Sequence, residues 1–257
     1  MTSRPAVSAH QGGKERHRPA TLEAYADAVT LGAEYVEIDV RRLKDGTLVC
    51  HHAARVGGTG PLLSQLSYRQ LCDAVGYQVP TLPMALDVIA GRSLAHLDLK
   101  EHGYEEQAVR LAVQTLGEDG VVVTTVEDDA VRAIGQRFPG VRTALSLGRG
   151  NDEITQTVQW WARPLRLVQT RHSELFPLRR IRACGARWVA VHKVLALCGV
   201  LAQCARHGIG AMVWTVDEDS LIDRFLQDPR IDVLVTNRPA YTLQRRDTLR
   251  TPRRPAS

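Results

Sequence analysis

The sequence predicts an α/β fold, a (β/α)8 barrel (TIM barrel), and three observations carry this prediction. About eight short apolar segments alternate with helix-like segments, the pattern of a parallel sheet covered by helices. The chain has 257 residues, close to the typical length of such a barrel. Charged residues lie near the ends of the apolar segments, where barrel enzymes carry their sites. An open doubly wound sheet is the alternative, because sequence alone does not show closure.

The predicted strands are short runs rich in Val, Leu, Ile and Ala. In chain order they are Val7–His10, Tyr35–Val40, Leu94–Lys100, Val121–Thr125, Val141–Leu147, Trp188–His192, Ala211–Val216 and Asp232–Thr236. The segments between them place apolar residues at helical spacing, which is typical of amphipathic helices. These predicted helices are Thr21–Leu31, Tyr104–Leu116, Asp128–Phe138, Ile154–Trp161, Pro177–Cys184, Val194–His207 and Asp219–Gln227.

One connection differs from the others. The turn Lys44-Asp45-Gly46 leads into a hairpin strand, Thr47–His52, because Asp-Gly favours tight turns. Residues 53–79 follow, with a helix-like segment at Ser64–Val75. We expect them to form a short excursion over the C-terminal mouth of the barrel, where the loops of barrel enzymes carry function.

The barrel is expected to span residues 1–240 as one domain. Arginines are frequent after the last apolar segment, at positions 245, 246, 250, 253 and 254. Such a basic end can touch acidic partners, but a solvated end is the simpler interpretation. The sequence therefore predicts a basic, disordered tail over residues 241–257.

Composition argues against several classes of protein. Hydrophobic residues make up 44% of the chain, which excludes disorder of the whole chain, and no apolar run reaches the roughly 18 residues of a membrane span. The N-terminus lacks the apolar region of a signal peptide, so we expect a cytoplasmic location. Five cysteines without a Cys-x-x-Cys pair predict neither a disulfide framework nor a zinc cluster, and Cys50 is interpreted as a core residue. The net charge of +5 comes without an aromatic-rich basic surface, so nucleic acid is not an expected partner.

Two predicted strands carry charge on one face only. Side chains alternate along a strand, so Glu37 and Asp39 share a face, as do Asp98 and Lys100. Charged groups inside a barrel are costly unless they are neutralised. An ion pair with Lys100 would account for one carboxylate but not for three. The three carboxylates therefore indicate a bound cation, and an all-oxygen set suits Mg²⁺ or Ca²⁺.

Two histidines lie near the same predicted strand ends. His10 ends the first strand and His52 follows the hairpin. Histidine titrates near neutral pH, so this pair could divide the acid and base roles around a scissile bond, with Lys100 as a point charge for an anionic substrate. A lone histidine in a strand is more often a satisfied core residue, and His51 and His96 are interpreted in that way.

Taken together, the motifs resemble those of the glycerophosphodiester phosphodiesterase family, from about residue 10 to residue 239. The matching segments are His10-Gln11-Gly12, Glu37-Ile38-Asp39, Lys44-Asp45-Gly46 through His52, Val79-Pro80-Thr81-Leu82, Asp98-Leu99-Lys100, Val213-Trp214-Thr215-Val216-Asp217 and Val235-Thr236-Asn237-Arg238-Pro239. Their order and spacing make the match more specific than any single motif. The resemblance implies a barrel with a divalent metal at its mouth and cleavage of phosphodiesters.

Roles for individual residues follow from the same resemblance. It implies the metal ligands Glu37, Asp39 and Asp98, the acid and base His10 and His52, and a phosphate contact at Lys100. Gln11 and Trp214 are further candidates for contact with the substrate. In this family a hydroxyl of the alcohol moiety can attack phosphorus, so the implied product is a cyclic phosphate or, after water opens it, a phosphomonoester.

Several positions depart from the family pattern. Gln11 stands where the family has an arginine, which removes a charged clamp on phosphate. Asp98 is one methylene shorter than the usual glutamate, and Ala53 replaces an aspartate. The acidic residue before the first helix is lost, since the segment reads Arg18-Pro19-Ala20-Thr21. Replacement charge is available from Lys14, Arg16, His17 or Arg18.

The sequence thus predicts a metal-dependent phosphodiesterase acting on glycerophosphodiesters or on lysophospholipids with the same linkage. One alternative is a specialised phosphodiesterase of secondary metabolism with a substrate other than a glycerol diester. Another is a non-catalytic barrel that binds a phosphorylated ligand, although all six candidate catalytic, metal and phosphate residues are present. A small-molecule phosphodiester is the expected partner, without stable membrane insertion, and nothing in the sequence indicates an oligomeric state.

Overall fold

Eight parallel strands close into a barrel in this computed structural model, which describes residues 4–148, 150, 159 and 163–250. With one additional antiparallel strand, β3, the described strands are β1 (Ala6–Ala9), β2 (Tyr35–Arg42), β3 (Leu48–Cys50), β4 (Leu94–Leu99), β5 (Val121–Thr125), β6 (Arg142–Leu147), β7 (Trp188–His192), β8 (Gly210–Trp214) and β9 (Val233–Thr236). Closure comes from β1, which pairs in parallel with both β2 and β9. The short β3 runs antiparallel to the C-terminal half of β2 and is not a stave of the barrel.

Helices follow most strands. They are α1 (Leu22–Thr30), α2 (Tyr68–Val75), α3 (Leu82–Ile89), α4 (Glu105–Leu116), α5 (Asp128–Arg137), α6 (Arg163–Leu175), α7 (Leu178–Cys184), α8 (Lys193–Leu195), α9 (Leu201–Ala205), α10 (Asp219–Phe225) and α11 (Pro239–Arg250). A π-helical segment, Ala196–Val200, joins α8 to α9, because Gly199 takes a left-handed φ of 92° there. Within the described residues, no helix is long and apolar enough to cross a membrane.

Two layers of apolar side chains hold the barrel together. The outward residues of β2, including Val36 and Ile38, pack against Ala28 of α1 and Leu86 of α3. Inward residues of six strands meet inside the barrel, and all seven of these side chains are buried: Tyr35, Val122, Ala144, Ala190, Met212, Val233 and Val235. Polar residues lie above this inner layer, at the C-terminal ends of β2 and β4.

The predicted fold class is confirmed, and each predicted strand overlaps a strand of the barrel. Three helices are absent from the predicted set: α3, of which only the family-like start at residues 79–82 is recognised in the sequence, α6, whose apolar pattern is irregular, and α11, which falls mostly on the predicted tail. The predicted helix Ile154–Trp161 lies outside the described residues, apart from residue 159. The predicted helix Ser64–Val75 is shorter, because Ser67 caps α2 in a reciprocal arrangement with Gln70.

The prediction of a disordered end is wrong for residues 241–250, which are helical in α11. Thr242 and Leu243 are buried, because this helix packs beside β1. Its arginines are also engaged: Arg246 lies 2.8 Å from Glu34, and the guanidinium of Arg4 donates to the carbonyl of Arg246 at 3.0 Å. Burial and ion pairing therefore order a segment whose composition suggested a solvated tail.

The excursion over residues 53–79 has a small core of its own. Leu63 and Leu71 pack with Val49 and Val79, and all four side chains are buried. The hydroxyl of Tyr68 donates to the carbonyl of Val79 at 2.8 Å, which ties α2 to the end of the excursion. Since β3 pairs with the C-terminal end of β2, the excursion begins at the mouth of the barrel, as predicted.

Candidate active site

Strand register brings the three predicted carboxylates together. Asp39 of β2 is the register partner of Asp98 of β4, and Glu37 lies one inward position below Asp39. Carboxylate oxygens of the three residues all lie within 4.8 Å of one another. Glu37 and Asp39 are buried, whereas the side chain of Asp98 is 21% exposed at the mouth. The structure therefore places a cluster of negative charge at the top of the barrel.

Lys100 neutralises part of this negative charge. Its Nζ lies 2.7 Å from Oδ1 of Asp39 and also contacts Oδ2 of Asp98. Burial lowers the pKa of Lys100, but the carboxylates of Asp39, Asp98 and Glu37 outweigh it and hold that pKa above its usual value. The ammonium therefore stays charged through the neutral range.

The pKa values of the two buried carboxylates are shifted in opposite directions. Burial, followed by the charge of Asp39, raises the pKa of Glu37 well above its usual value. Burial also acts to raise the pKa of Asp39, but Lys100, His52 and His10 outweigh it and the pKa lies below normal. Lys100 thus stabilises the ionised form of Asp39, whereas Glu37 has no comparable positive partner.

A divalent cation fits this arrangement. Oδ1 of Asp39 is buried and, within the described part of the chain, accepts no hydrogen bond, although Lys100 contacts it. The candidate donor set is oxygen only, which Mg²⁺ and Ca²⁺ prefer over the nitrogen and sulfur ligands typical of zinc. The excess of negative charge would be neutralised by such an ion.

Gln11 lies against the carboxylate cluster. Its backbone N–H donates to Oε2 of Glu37 at 2.7 Å, and its side-chain Nε2 donates to Oδ2 of Asp39 at 2.7 Å. A left-handed φ of 52° within the short 3-10 turn His10–Gly12 allows both contacts. The side chain predicted to bind substrate therefore has a candidate metal ligand as its hydrogen-bond partner.

His10 begins this turn directly after β1 rather than ending the strand. Its Nδ1 lies 2.8 Å from Oδ1 of Asn237, which follows β9. The amide nitrogen of Asn237 donates to Asp217 at 2.6 Å, so Oδ1 must be the atom that faces His10. An amide oxygen only accepts, and Nδ1 of His10 therefore carries hydrogen while Nε2 is left for proton transfer.

Asn237 and Asp217 belong to the two closing family-like segments, but the sequence prediction gave neither residue an individual role. Their positions after β9 and after β8 were the available signal, since polar residues at neighbouring strand ends meet at one mouth. Asp217 also accepts from the backbone N–H of Asn237 at 2.8 Å and from the hydroxyl of Thr236 at 3.2 Å. These contacts fix the amide that orients His10.

His52 follows β3 and is exposed at the mouth. Burial lowers the pKa of His52 and outweighs the raising effect of Asp39, and Lys100 and His10 act in the same direction as burial. The backbone carbonyl of His52 accepts from Nε of Arg41 at 2.9 Å, and this arginine in turn pairs with Glu101. The segment that carries His52 is thereby attached to β2.

The remaining candidates occupy different environments. Trp214 ends β8, three strands from β2, and its ring meets the ring of His192 edge-on with centroids 5.2 Å apart. His96 is buried and hydrogen-bonded inside the barrel, so its interpretation as a core residue is confirmed. The core interpretation of Cys50 is likewise confirmed, whereas His51 is only partly buried, with Nδ1 2.9 Å from the carbonyl of Ala53.

Comparison with known proteins supplies the family. The glycerophosphoryl diester phosphodiesterase family profile matches residues 10–241. A glycerophosphodiester phosphodiesterase of Caldanaerobacter subterraneus is 22% identical over 254 residues, covering 91% of this chain and 94% of the relative. A probable glycerophosphodiester phosphodiesterase 2 of Mycobacterium tuberculosis is 26% identical over 243 residues, covering 90% and 86%.

Solved structures share the fold. A glycerophosphodiester phosphodiesterase from Parabacteroides distasonis superposes with a TM-score of 0.74 at 19% identity, covering 98% of this chain and 100% of that one. An Oleispira antarctica phosphodiesterase, solved with the product sn-glycerol-3-phosphate, gives 0.71 at 18% identity, covering 95% and 97%. The chain is a phosphoric diester hydrolase and belongs to the glycerophosphoryl diester phosphodiesterase family.

Proposed function

We propose that the chain hydrolyses glycerophosphodiesters, or lysophospholipids with the same linkage, by histidine acid–base catalysis at a divalent cation. One observation carries the proposal: three carboxylates, a charged lysine and an oriented histidine converge on one mouth of the barrel. Family membership supports the reaction class, and the geometry supports the assignment of roles.

The cation would be held by Glu37, Asp39 and Asp98, whose oxygens are the donors that Mg²⁺ or Ca²⁺ requires. Such an ion supplies Lewis-acid polarisation of a phosphoryl oxygen. Lys100 keeps its positive charge beside the cluster and would attract the anionic diester to the mouth. Binding of the substrate thus depends on charges that the inward faces of β2 and β4 hold in place.

His52 and His10 would divide the proton transfers. His52 has a lowered pKa, stays neutral near pH 7 and suits the base that takes the proton of the attacking hydroxyl or water. The new phosphorus–oxygen bond forms as the bond to the leaving alcohol breaks. Nε2 of His10 then gives its proton to the leaving oxygen, while Nδ1 donates to Asn237 in both charge states.

Hydrolysis of glycerophosphocholine and related diesters tests this proposal. We expect activity with Mg²⁺ or Ca²⁺, its loss on chelation with EDTA, and its return when the ion is restored. His10→Ala and His52→Ala should each lower kcat by roughly 10²–10⁴-fold. His207→Ala, at an exposed position, is the matched control. Activity that survives EDTA and the double variant would overturn the mechanism.

A second candidate is a specialised phosphodiester substrate, and Gln11 is the observation that favours it. The side-chain amide of Gln11 is committed to Asp39, so this position adds no positive charge for phosphate. Of the nearby basic residues, Arg16 pairs with Asp27 at 3.2 Å, whereas the guanidinium of Arg18 stacks 4.0 Å above the ring of Tyr77 in the excursion. A screen of diverse phosphodiesters separates the two, since rapid turnover of glycerophosphocholine would argue against specialisation.

A further inference from the structure

A chain of hydrogen bonds runs through the barrel interior and ends on Asp98. The hydroxyl of Ser8 lies 3.0 Å from Nδ1 of His96, whose Nε2 lies 3.1 Å from the hydroxyl of Thr124. The hydroxyl of Thr124 lies 2.7 Å from Oδ1 of Asp98. Ser8, His96 and Thr124 are buried, with relative exposures of 0%, 4% and 2%. The chain therefore joins β1, β4 and β5 beneath the candidate cation site.

The donor and acceptor groups fix the direction of donation along this series of hydrogen bonds, from Ser8 to Asp98. An ionised Asp98 only accepts, so it takes the one hydroxyl hydrogen of Thr124 in preference to the more distant carbonyl of Leu97 at 3.4 Å. The Thr124 oxygen is then left to accept from Nε2–H of His96. A neutral imidazole carries hydrogen on one nitrogen only, so with Nε2–H directed at Thr124 the Nδ1 of His96 accepts from the hydroxyl of Ser8. Each bond fixes the direction of the next.

Strand register makes Thr124 a fixed neighbour of Asp98. The two residues are register partners between β4 and β5, and Asp39 is the register partner of Asp98 on the other side, in β2. Thr124 holds Oδ1 of Asp98, which leaves Oδ2 on the side of Lys100 and the cluster. The hydrogen bond to Oδ1 therefore restricts rotation of the Asp98 carboxylate away from the cluster.

We propose that Thr124, oriented by His96 and Ser8, is the positioning residue of Asp98 and sets the affinity of the site for its divalent cation. The inference rests on the proposed function, because it takes Asp98 as a ligand. Outer residues that hydrogen-bond a metal ligand commonly contribute 10–100-fold to metal affinity. Thr124 would supply this contribution from a neighbouring strand, without touching the ion.

The proposal is tested by measuring the binding of Ca²⁺ and of Mg²⁺ to the purified protein by titration calorimetry. Thr124→Val keeps the shape of the side chain and removes the hydroxyl, so we expect roughly 10- to 100-fold weaker binding. Thr124→Ser keeps the hydroxyl and should bind like the parent. In kinetic assays, Thr124→Val should need more cation for half-maximal activity and should regain activity at saturating cation. A role in folding alone would leave that midpoint unchanged.

Two further variants separate the possible outcomes. Thr125→Val, the next residue of β5, removes an equally buried hydroxyl that does not contact Asp98, and should leave cation affinity unchanged. Ser8→Ala frees His96 to adopt the other tautomer, whose Nε2 would compete for the hydroxyl hydrogen of Thr124, so binding should weaken here as well. If Thr124→Val does not fold, Ser8→Ala decides.

Failure of this inference is distinguishable from failure of the proposed function. A parent chain that binds neither ion at millimolar concentration contradicts the metal site itself. A parent chain that binds the ion, with Thr124→Val and Ser8→Ala binding equally well, overturns the positioning role of Thr124 and leaves the metal site standing.

Discussion

Nδ1 of His10 lies 2.8 Å from the side-chain oxygen of Asn237, and this contact allows only one arrangement of hydrogens. Asp217 accepts from the amide nitrogen of Asn237 at 2.6 Å, which prevents the amide from turning over. The imidazole is thereby presented with Nε2 available for proton transfer. Asp217 is thus two hydrogen bonds removed from His10, the proposed acid, and fixes the amide that orients it.

Substitutions along this contact should lower turnover more than substrate binding. Asn237→Ala removes the acceptor at Nδ1, so His10 loses its fixed orientation, and we expect kcat to fall by up to about 10²-fold with KM little changed. Asp217→Asn lets the amide of Asn237 reverse, which should give a smaller loss in the same direction. Steady-state kinetics on a glycerophosphodiester measure both effects.

A matched control lies on the neighbouring helix α10. Asp223 pairs with Arg245 at 2.6 Å, away from the strand ends, so Asp223→Asn should leave kcat unchanged. If Asn237→Ala retains the parent kcat, the orienting role of this contact is wrong, whatever the fate of His10 variants.

The free energy of unfolding should fall as the pH is lowered, in part because of His96. Burial lowers the pKa of His96 to about 4, with smaller contributions from His10 and Lys100 in the same direction and from Asp98 and Asp39 in the other. The pKa in the unfolded chain is about 6.5. Between these values the unfolded chain binds a proton that the native state excludes, so stability is complete above pH 6.5 and is lost toward pH 4.

The contribution of His96 over this range is on the order of 3 kcal/mol. Urea unfolding in EDTA between pH 4.5 and 7.5 measures it, as the difference in slope between the parent and His96→Gln. His207→Gln, at an exposed position, should keep the parent slope. Parallel curves for the parent and His96→Gln would show that His96 is not the group that titrates.

The C-terminal helix α11 should contribute to stability. Leu243 is buried with 8% exposure, so Leu243→Ala should lower the free energy of unfolding by roughly 2–5 kcal/mol. The adjacent Gln244 is exposed, and Gln244→Ala should change it by less than about 0.5 kcal/mol. Chemical unfolding of both variants measures the difference. Equal free energies of unfolding for the two variants would show that residues 241–250 do not contribute to stability.

The strands and the charged cluster were predictable because each depends on local pattern. Apolar runs interrupted by charge on one face marked β2 and β4, and period-two alternation placed Glu37 and Asp39 together. The register that sets Asp39 beside Asp98 is a tertiary property, and no local signal encodes it. The prediction therefore placed the carboxylates at one mouth, but the distances between them required the structure.

Other features depend on contacts that sequence patterns do not carry. The burial of Leu243 within an arginine-rich helix follows from packing beside β1, not from a continuous apolar stripe. The roles of Asn237 and Thr124 follow from which neighbour each one meets across the barrel. A hydroxyl or an amide in a strand is chemically uncommitted until the fold supplies its partner.

Gln11 supplies the last prediction, because its contact with Asp39 came from an unusual backbone angle. With a φ of 52°, the side-chain amide reaches Oδ2 of Asp39 at 2.7 Å. Gln11→Ala keeps that backbone angle and removes the donor, which leaves a buried carboxylate oxygen without this partner. We expect a loss of about 1–3 kcal/mol in the free energy of unfolding, measured in EDTA. Added Ca²⁺ should reduce the loss, since the ion would neutralise the same carboxylate.

Backbone strain is the effect to separate from this loss. Ala20 is the other non-glycine residue with a positive φ in the described part of the chain, at 58°, so Ala20→Gly reports relief of strain without any change at Asp39. It should stabilise the chain by up to about 1 kcal/mol, with or without Ca²⁺. The interpretation of Gln11 as a partner of Asp39 predicts a calcium-dependent change in stability for Gln11→Ala. An unchanged stability together with a raised KM for the diester would instead assign Gln11 to the substrate, because only a contact with the bound diester would then be lost.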